Sequence, residues 1–298
     1  MKSFLSIRIL NLHSIHAMKY KHYIITIFIL TGTTFPGLAQ DADSLETKKP
    51  DKPERPAFQS GWLIDNPTGL INTKGTFQFD IQHRFGVIES GNRDLLGMWG
   101  PSNIRLAFSY AISDRITLGF GTMKASLMQD FNIKAGLLRQ TRSGSVPVSI
   151  AYYGNAAIDA RESDFFPKSS NRFSYFSQLI ITRRFNRIVS LQVSPSYSHY
   201  NLISEELDNG QFAVAVGGKV SVSDKTAIIV DYSQPLGQNT DKQGLSLGIE
   251  MSTGLHTFQV FVGNYKGILP QRNYLLNENK ISERQFLIGF NINRLWNF

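Results

Sequence analysis

At the end of the chain, apolar side chains fall on every second position. Phe286, Ile288, Phe290 and Ile292 are followed by Trp296 and the terminal Phe298, with Arg294 the one break. Between them stand Gln285, Leu287, Gly289, Asn291, Asn293, Leu295 and Asn297, mostly small or polar. Successive side chains of a strand point to opposite faces, so this segment has one apolar and one polar face. Such a strand can meet lipid on one side and water on the other. A terminal aromatic on the apolar face is the pattern of an outer-membrane barrel. Phe298 is therefore the expected assembly signal, read by the barrel-assembly machinery.

The same rhythm runs backwards to Lys74. Alternating runs of about 10 residues, long enough to cross a bilayer as tilted strands, follow one another. Strands are expected near 75–87, 103–112, 115–123, 130–140, 146–155, 172–184, 188–198, 211–222, 226–234, 244–252, 255–265 and 284–296. The joints 113–114, 142–145, 185–187, 223–225 and 253–254 are short and carry turn residues. Those near 88–102, 124–129, 156–171, 199–210, 235–243 and 266–283 are long. An even strand number puts both ends on one side, and short turns belong to the periplasmic side. A soluble sandwich or lipocalin-like barrel turns its apolar face inward instead. Twelve strands with a single apolar face are hard to fill that way. The expected fold is all-β: a transmembrane antiparallel up-and-down β-barrel of about 12 strands, closed by its first and last strands.

Composition agrees. Charged residues make up 18%, against roughly 25% in soluble domains. There is no cysteine, which excludes disulfides, thiolate metal sites and a lipidated N-terminal cysteine. Met18, Lys19, Tyr20 and Lys21 precede an apolar run at 23–30 and the small residues Gly37 and Ala39, the pattern of a secretory signal peptide cut before Gln40. Residues 1–17 read as an upstream extension, with Met18 the expected start. The leader holds 4 of the 31 basic residues and no acid, so 27 basic residues face 23 acidic ones and the net charge falls from +8 to +4. That leaves no footing for a nucleic-acid partner. Residues 40–60 contain Pro50, Pro53 and Pro56 among charges and are expected to be a disordered periplasmic tether. The stretch 61–69, with Trp62, Leu63 and Ile64, is expected to dock near the barrel mouth. The organisation is thus 1–39 extension and signal peptide, 40–60 tether, and 61–298 barrel.

Charges on the lipid face cost roughly 2–4 kcal/mol at the midplane, so the polar face must point into the lumen. Its charged members are expected to be Asp80, Arg84, Arg105, Lys134, Arg172, Lys219, Asp231 and Glu250. Two readings compete for them: opposite charges that pair across a narrow interior, or a water-filled path favouring anions. The mixed signs favour pairing. Tyr110, Tyr152, Tyr175, Tyr197, Tyr232, Tyr265 and Trp296 read as interface girdle residues. Glycines inside strands, such as Gly121 and Gly217, read as places that permit bending.

Chemistry is thinly supported. His83, His199 and His256 lie far apart with no metal-ligand spacing, and His83 shares parity with the apolar face. Ser196, Ser198, His199 and Asn201 cluster at one rim, but both serines precede the histidine, the reverse of the order in an outer-membrane phospholipase. Glu205, Glu206, Asp208 and Asn209 do not match a calcium loop. Leu95, Leu96, Met98 and Trp99 are too apolar for a free loop and suggest a short plug or an interfacial turn. No catalytic residue, metal or cofactor is expected.

Several stretches are similar to one known family. Ile81 to Gly86 (IQHRFG), 104–121 (IRLAFSYAISDRITLGFG), Leu138, Arg139 and Gln140, 256–259 (HTFQ) and 288–292 (IGFNI) resemble a Bacteroidota family of outer-membrane β-barrel proteins of unknown function. The resemblance spans most of 60–298. It implies the barrel and the outer membrane and no activity for any residue; the even strand number is what places the N-terminal tether and the C-terminus on the periplasmic side. The leading expectation is a narrow porin-like channel for small solutes, with outer-membrane lipid around it. The alternative is a non-conducting structural or docking barrel with protein partners unknown.

Overall fold

The structure is a computed structural model that describes residues 51–89, 91–204 and 207–297. The leader, most of the tether, Glu205, Glu206 and the proposed assembly signal Phe298 lie outside the described residues.

Alternation of apolar residues, many of them β-branched or aromatic, with small or polar ones builds the wall strands. A short hairpin comes first, β1 (Trp62–Leu63) and β2 (Asn66–Pro67). The wall follows as β3 (Thr76–Val87), β4 (Asn103–Ser113), β5 (Ile116–Met123), β6 (Gln129–Leu138), β7 (Ser149–Ile158) and β8 (Phe173–Arg184). It continues as β9 (Val189–Tyr200), β10 (Gly210–Ser221), β11 (Thr226–Leu236), β12 (Gly244–Ser252), β13 (His256–Gly263) and β14 (Leu287–Asn297). One helix, α1 (Pro270–Leu276), interrupts the last long loop. Sequential antiparallel pairing runs from β3 to β14, and β14 pairs back onto β3 with Trp296 opposite Phe77 and Ile292 opposite Ile81. The ring is complete at 12 strands and leaves no edge unpaired. Among the described residues no helix is long and apolar enough to cross a membrane. The strands do the crossing.

Pleat sorts the side chains. In β9, Ser190, Gln192, Ser194, Ser196 and Ser198 are buried inside, while Leu191, Val193 and Tyr197 are exposed outside. In β14, Asn291 and Asn293 are buried inside, and Arg294 sits outside with its guanidinium 4.7 Å over Trp296 near the chain end. A cation so close to the rim reaches the headgroup layer rather than the acyl chains. Ile249 tests the lipid face. It lies mid-strand, 51% exposed, opposite Ile228 and Val260 on its two neighbours. Ile249→Arg is expected to lower stability in lipid vesicles by about 2–4 kcal/mol, read from the urea midpoint. An unchanged midpoint would mean that this face does not meet lipid.

Four expectations are corrected. Residues 51–60 are not a free tether: Glu54 N–H donates to the Gln140 carbonyl at 2.7 Å, Arg142 N–H donates to that of Lys52 at 3.0 Å, and Phe58 is buried. The chain is pinned at the short-turn end before it enters the lumen. Tyr265 is not a girdle residue. It shares inward parity with Gln259 and Phe261, and packs inside against Tyr274 at 6.2 Å between ring centroids. The turn holding Leu95, Leu96, Met98 and Trp99 is no plug, since Trp99 is 75% exposed. Gly121 and Gly217 supply room rather than bending. A Cβ on Gly121 would collide with the Asp130 and Arg105 side chains, and one on Gly217 with Leu63.

Candidate functional site

The lumen is the site, and it is filled from both ends. From the short-turn end, residues 58–72 pass inside the wall. Ser60, Trp62, Leu63, Ile64, Asp65, Asn66 and Thr68 are all buried. The turn between β1 and β2 is Ile64–Asp65, and Ile64 has φ +55°. A positive φ at the first turn position is usually left to glycine. For a β-branched residue it is strained, so the surroundings must over-determine it.

Asp231 does so. Its Oδ2 accepts the backbone N–H groups of Asp65 and Asn66, each at 3.0 Å. Its Oδ1 accepts from Asn66 Nδ2 at 3.0 Å. The rest of the Asn66 amide is used as well: Nδ2 donates to Ser233 Oγ at 2.9 Å, and Oδ1 accepts from Tyr274 Oη at 2.6 Å and Gln178 Nε2 at 3.2 Å. Asn66 therefore ties the hairpin to the wall and to α1 at once. Asp65 in turn pairs with Arg84 at 3.0 Å and accepts from Ser246 Oγ at 2.7 Å. Arg84 also donates to Asn291 Oδ1 at 2.9 Å and lies 4.5 Å over the Phe261 ring. Buried charges must be paired and hydrogen-bonded in this way to be tolerated.

Wall side chains hold the hairpin backbone directly. Gln259 Nε2 donates to the Trp62 carbonyl at 2.8 Å, Asn291 Nδ2 to Ile64 at 2.9 Å, Gln192 Nε2 to Pro67 at 2.8 Å and Lys134 Nζ to Gly61 at 3.0 Å. Apolar contacts add to these. Phe58, Leu63 and Ile64 cluster with Ile229 and Phe261, and Trp62 joins Tyr153, Phe176 and Ile180. From the long-loop end, α1 buries Pro270, Gln271, Asn273, Tyr274 and Leu275, with Gln271 Nε2 donating to Asn155 Oδ1 at 2.8 Å. A cavity of 30 Å³ remains beside Trp62, Asp80 and Arg105, room for a water-sized molecule.

The predicted lumen charges fall as follows. Asp80, Arg84, Arg105, Lys219, Asp231 and Glu250 are buried inside, and Lys134 is half-buried inside. Arg105 grips Asp130 through two bonds of 2.7 Å, and Lys219 faces Glu250 at 3.8 Å. Asp80 is served by amides, Gln78 at 2.8 Å and Asn293 at 3.0 Å. Arg172 is a correction. Its strand begins one residue later, and its guanidinium donates to the Asp159 carbonyl at 3.1 Å and lies 4.9 Å over Phe166, in the loops at the long-loop rim. Two acids escaped the sequence reading: Asp130, at the boundary between a long loop and its strand, and Asp65, in a segment placed at the mouth. Ser196 and Ser198 face the lumen while His199 stacks outside on Tyr175 and Tyr197, so the rim cluster does not assemble. Among the described residues no group of acids and histidines could hold a metal ion.

A family model described as a membrane bound beta barrel domain (DUF5777) matches residues 58–296. The chain belongs to this family. The DUF5777 match starts at Phe58, where the chain enters the lumen, so hairpin and wall form one family unit. No curated protein matches the chain. Among solved structures it is similar to the NanC porin, with a TM-score of 0.46 and 8% identity over 74% of this chain and 99% of that one. It is likewise similar to the KdgM porin, with a TM-score of 0.45 and 9% identity over 75% and 99%. An outer membrane channel from Pseudomonas putida F1 gives a TM-score of 0.44 and 12% identity over 76% and 97%. This DUF5777 barrel is a membrane-bound β-barrel.

Proposed function

We propose that the barrel is a channel for small solutes whose lumen is closed by its own hairpin together with α1, and opens when the hairpin leaves and releases α1, which Asn66 ties to it through Tyr274. One observation carries this reading. The hairpin pairs only with itself, the wall closes without it, and among the described residues every hydrogen bond from 61–69 to the wall uses a wall side chain. Departure therefore breaks no inter-strand ladder. It exposes wall Gln, Asn, Arg and Asp side chains that water can solvate in place of the hairpin, and with them the apolar Ile180, Ile229 and Phe261. In this reading the short-turn end and both chain termini are periplasmic, Phe298 addresses the barrel-assembly machinery, and the surrounding partner is outer-membrane lipid. The barrel does no covalent chemistry, in keeping with serines and histidine on opposite faces of β9.

Asp231→Ala tests it in planar bilayers. Two backbone N–H groups and the Asn66 amide lose their acceptor, each at about 1–3 kcal/mol when left buried. Openings are expected to become at least about tenfold more frequent than in the unaltered protein, the equivalent of roughly 1.4 kcal/mol. A second reading, a permanently filled barrel that serves as a structural or docking element, is favoured by the apolar cluster of Phe58, Leu63 and Ile64 with Ile229 and Phe261. A folded Asp231→Ala barrel that never conducts would select that second reading.

A further inference from the structure

At the short-turn end, between the hairpin's leading segment and the wall, lies a cavity of 650 Å³. Its lining is basic. Arg55 comes from the leading segment, Arg184 from the end of β8, Arg187 from the turn after it, and Lys219 from β10, against the single lining acid Asp224. These cations are only partly used, Arg184 Nε donating to the Asn186 carbonyl at 3.0 Å. Arg55 and Arg187 make no ion pair among the described residues, and both are exposed. Arg184 meets Glu54 and Lys219 meets Glu250, each at 3.8 Å, longer than a hydrogen bond. Free guanidinium donors around a concave space suit planar oxyanions, which they can grip two bonds at a time. The volume falls in the range of small-molecule sites. The turn residues Arg187, Ile188, Val222, Ser223 and Asp224 line it at the end of the barrel, so its ligand comes from the aqueous side.

We propose that this vestibule binds a small solute carrying two or three carboxylate or phosphate groups, and that the bound anion holds the hairpin in the lumen by bridging Arg55 to Arg184, Arg187 and Lys219. Arg55 lies three residues before Phe58, the first residue seated in the apolar cluster. An anion that ties Arg55 to the wall therefore fastens the chain just ahead of the part that must leave. The holding half of this proposal rests on the hairpin-release reading above, and the binding half does not. A ligand that binds the closed form alone shifts the equilibrium by the factor 1 + [L]/Kd.

Citrate and inorganic pyrophosphate are the probes, titrated calorimetrically into the purified full chain in detergent. Saturable binding of at least one is expected. Arg187→Gln and Arg55→Gln, both at exposed positions that leave the fold intact, are each expected to weaken it about tenfold, since each removes a charge-assisted contact. Lys168→Gln, at the opposite rim, is expected to leave it unchanged. No saturable binding of either anion would overturn the proposal, as would binding indifferent to both arginine changes. The holding half is read separately. Citrate at ten times its Kd is expected to reduce openings of the Asp231→Ala barrel about tenfold, and the added Arg55→Gln change to abolish that effect. Saturable, arginine-dependent binding to a barrel that never opens would keep the site and overturn the holding role.

Discussion

Arg105→Leu is expected to cost the barrel about 3–5 kcal/mol of stability, the largest effect of any single substitution in the lumen. Arg105 is 1% exposed and its partner Asp130 is fully buried. The pair is bidentate: Nε meets Oδ1 and Nη2 meets Oδ2, both at 2.7 Å. Nη1 donates to Gln82 Oε1 at 2.8 Å, and the guanidinium lies 5.6 Å from the Trp62 ring. Asp130 also accepts from Asn155 Nδ2 at 3.0 Å, and Asn155 in turn receives Gln271 of α1. Removing the arginine strands a carboxylate away from water, and the remaining amide contacts, from Asn155 and from Asn132 Nδ2 at 3.2 Å, do not replace a cation. The urea midpoint in lipid vesicles should fall accordingly. Arg105→Leu combined with Asp130→Leu should recover much of the loss, because the penalty lies in the uncompensated charge rather than in the absence of the pair. Equal loss in single and double variants would mean that shape, and not charge, sets the cost.

The wall was readable because each of its strands solves one simple problem. Apolar residues at every second position of β3, β4, β9 and β14 must face lipid, and the short turns after β4 and β8 leave no alternative register. Ends were less legible. Arg172 has lumen parity with Ser174 and Gln178, but the strand had not begun at that position. A pattern with period two says nothing about where pairing stops.

The filling of the lumen was the part that sequence reasoning missed. Residues 58–72 are too short and too rich in turn formers to announce a strand, and their prolines upstream read as a tether. A signal was present on the wall. Phe176, Ile180, Ile229 and Phe261 occupy inward positions, where a water-filled path would carry polar groups. Those inward apolar residues mark the footprint of Trp62, Leu63 and Ile64. Tyr265, with the same inward parity, announces α1 in the same way. Asp65 could not be recognised as the partner of Arg84 because nothing local in a loop specifies a contact across a barrel.

Release of the hairpin is the central claim, and a reversible lock is expected to switch conduction completely. The chain has no cysteine, so an introduced pair has no competitor. Asn66 and Ser233 touch through their side chains at 2.9 Å, one on the hairpin and one on β11. Cysteines at both positions, in a chain that also carries Asp231→Ala, would join hairpin to wall when oxidised and leave it weakly held when reduced. The deciding measurement is conductance of that protein in planar bilayers, with disulfide formation checked by thiol labelling. The expected result is a silent barrel when oxidised and an open one after reduction, restored to silence on reoxidation. Equal conductance in both redox states, or silence in both, would contradict the account.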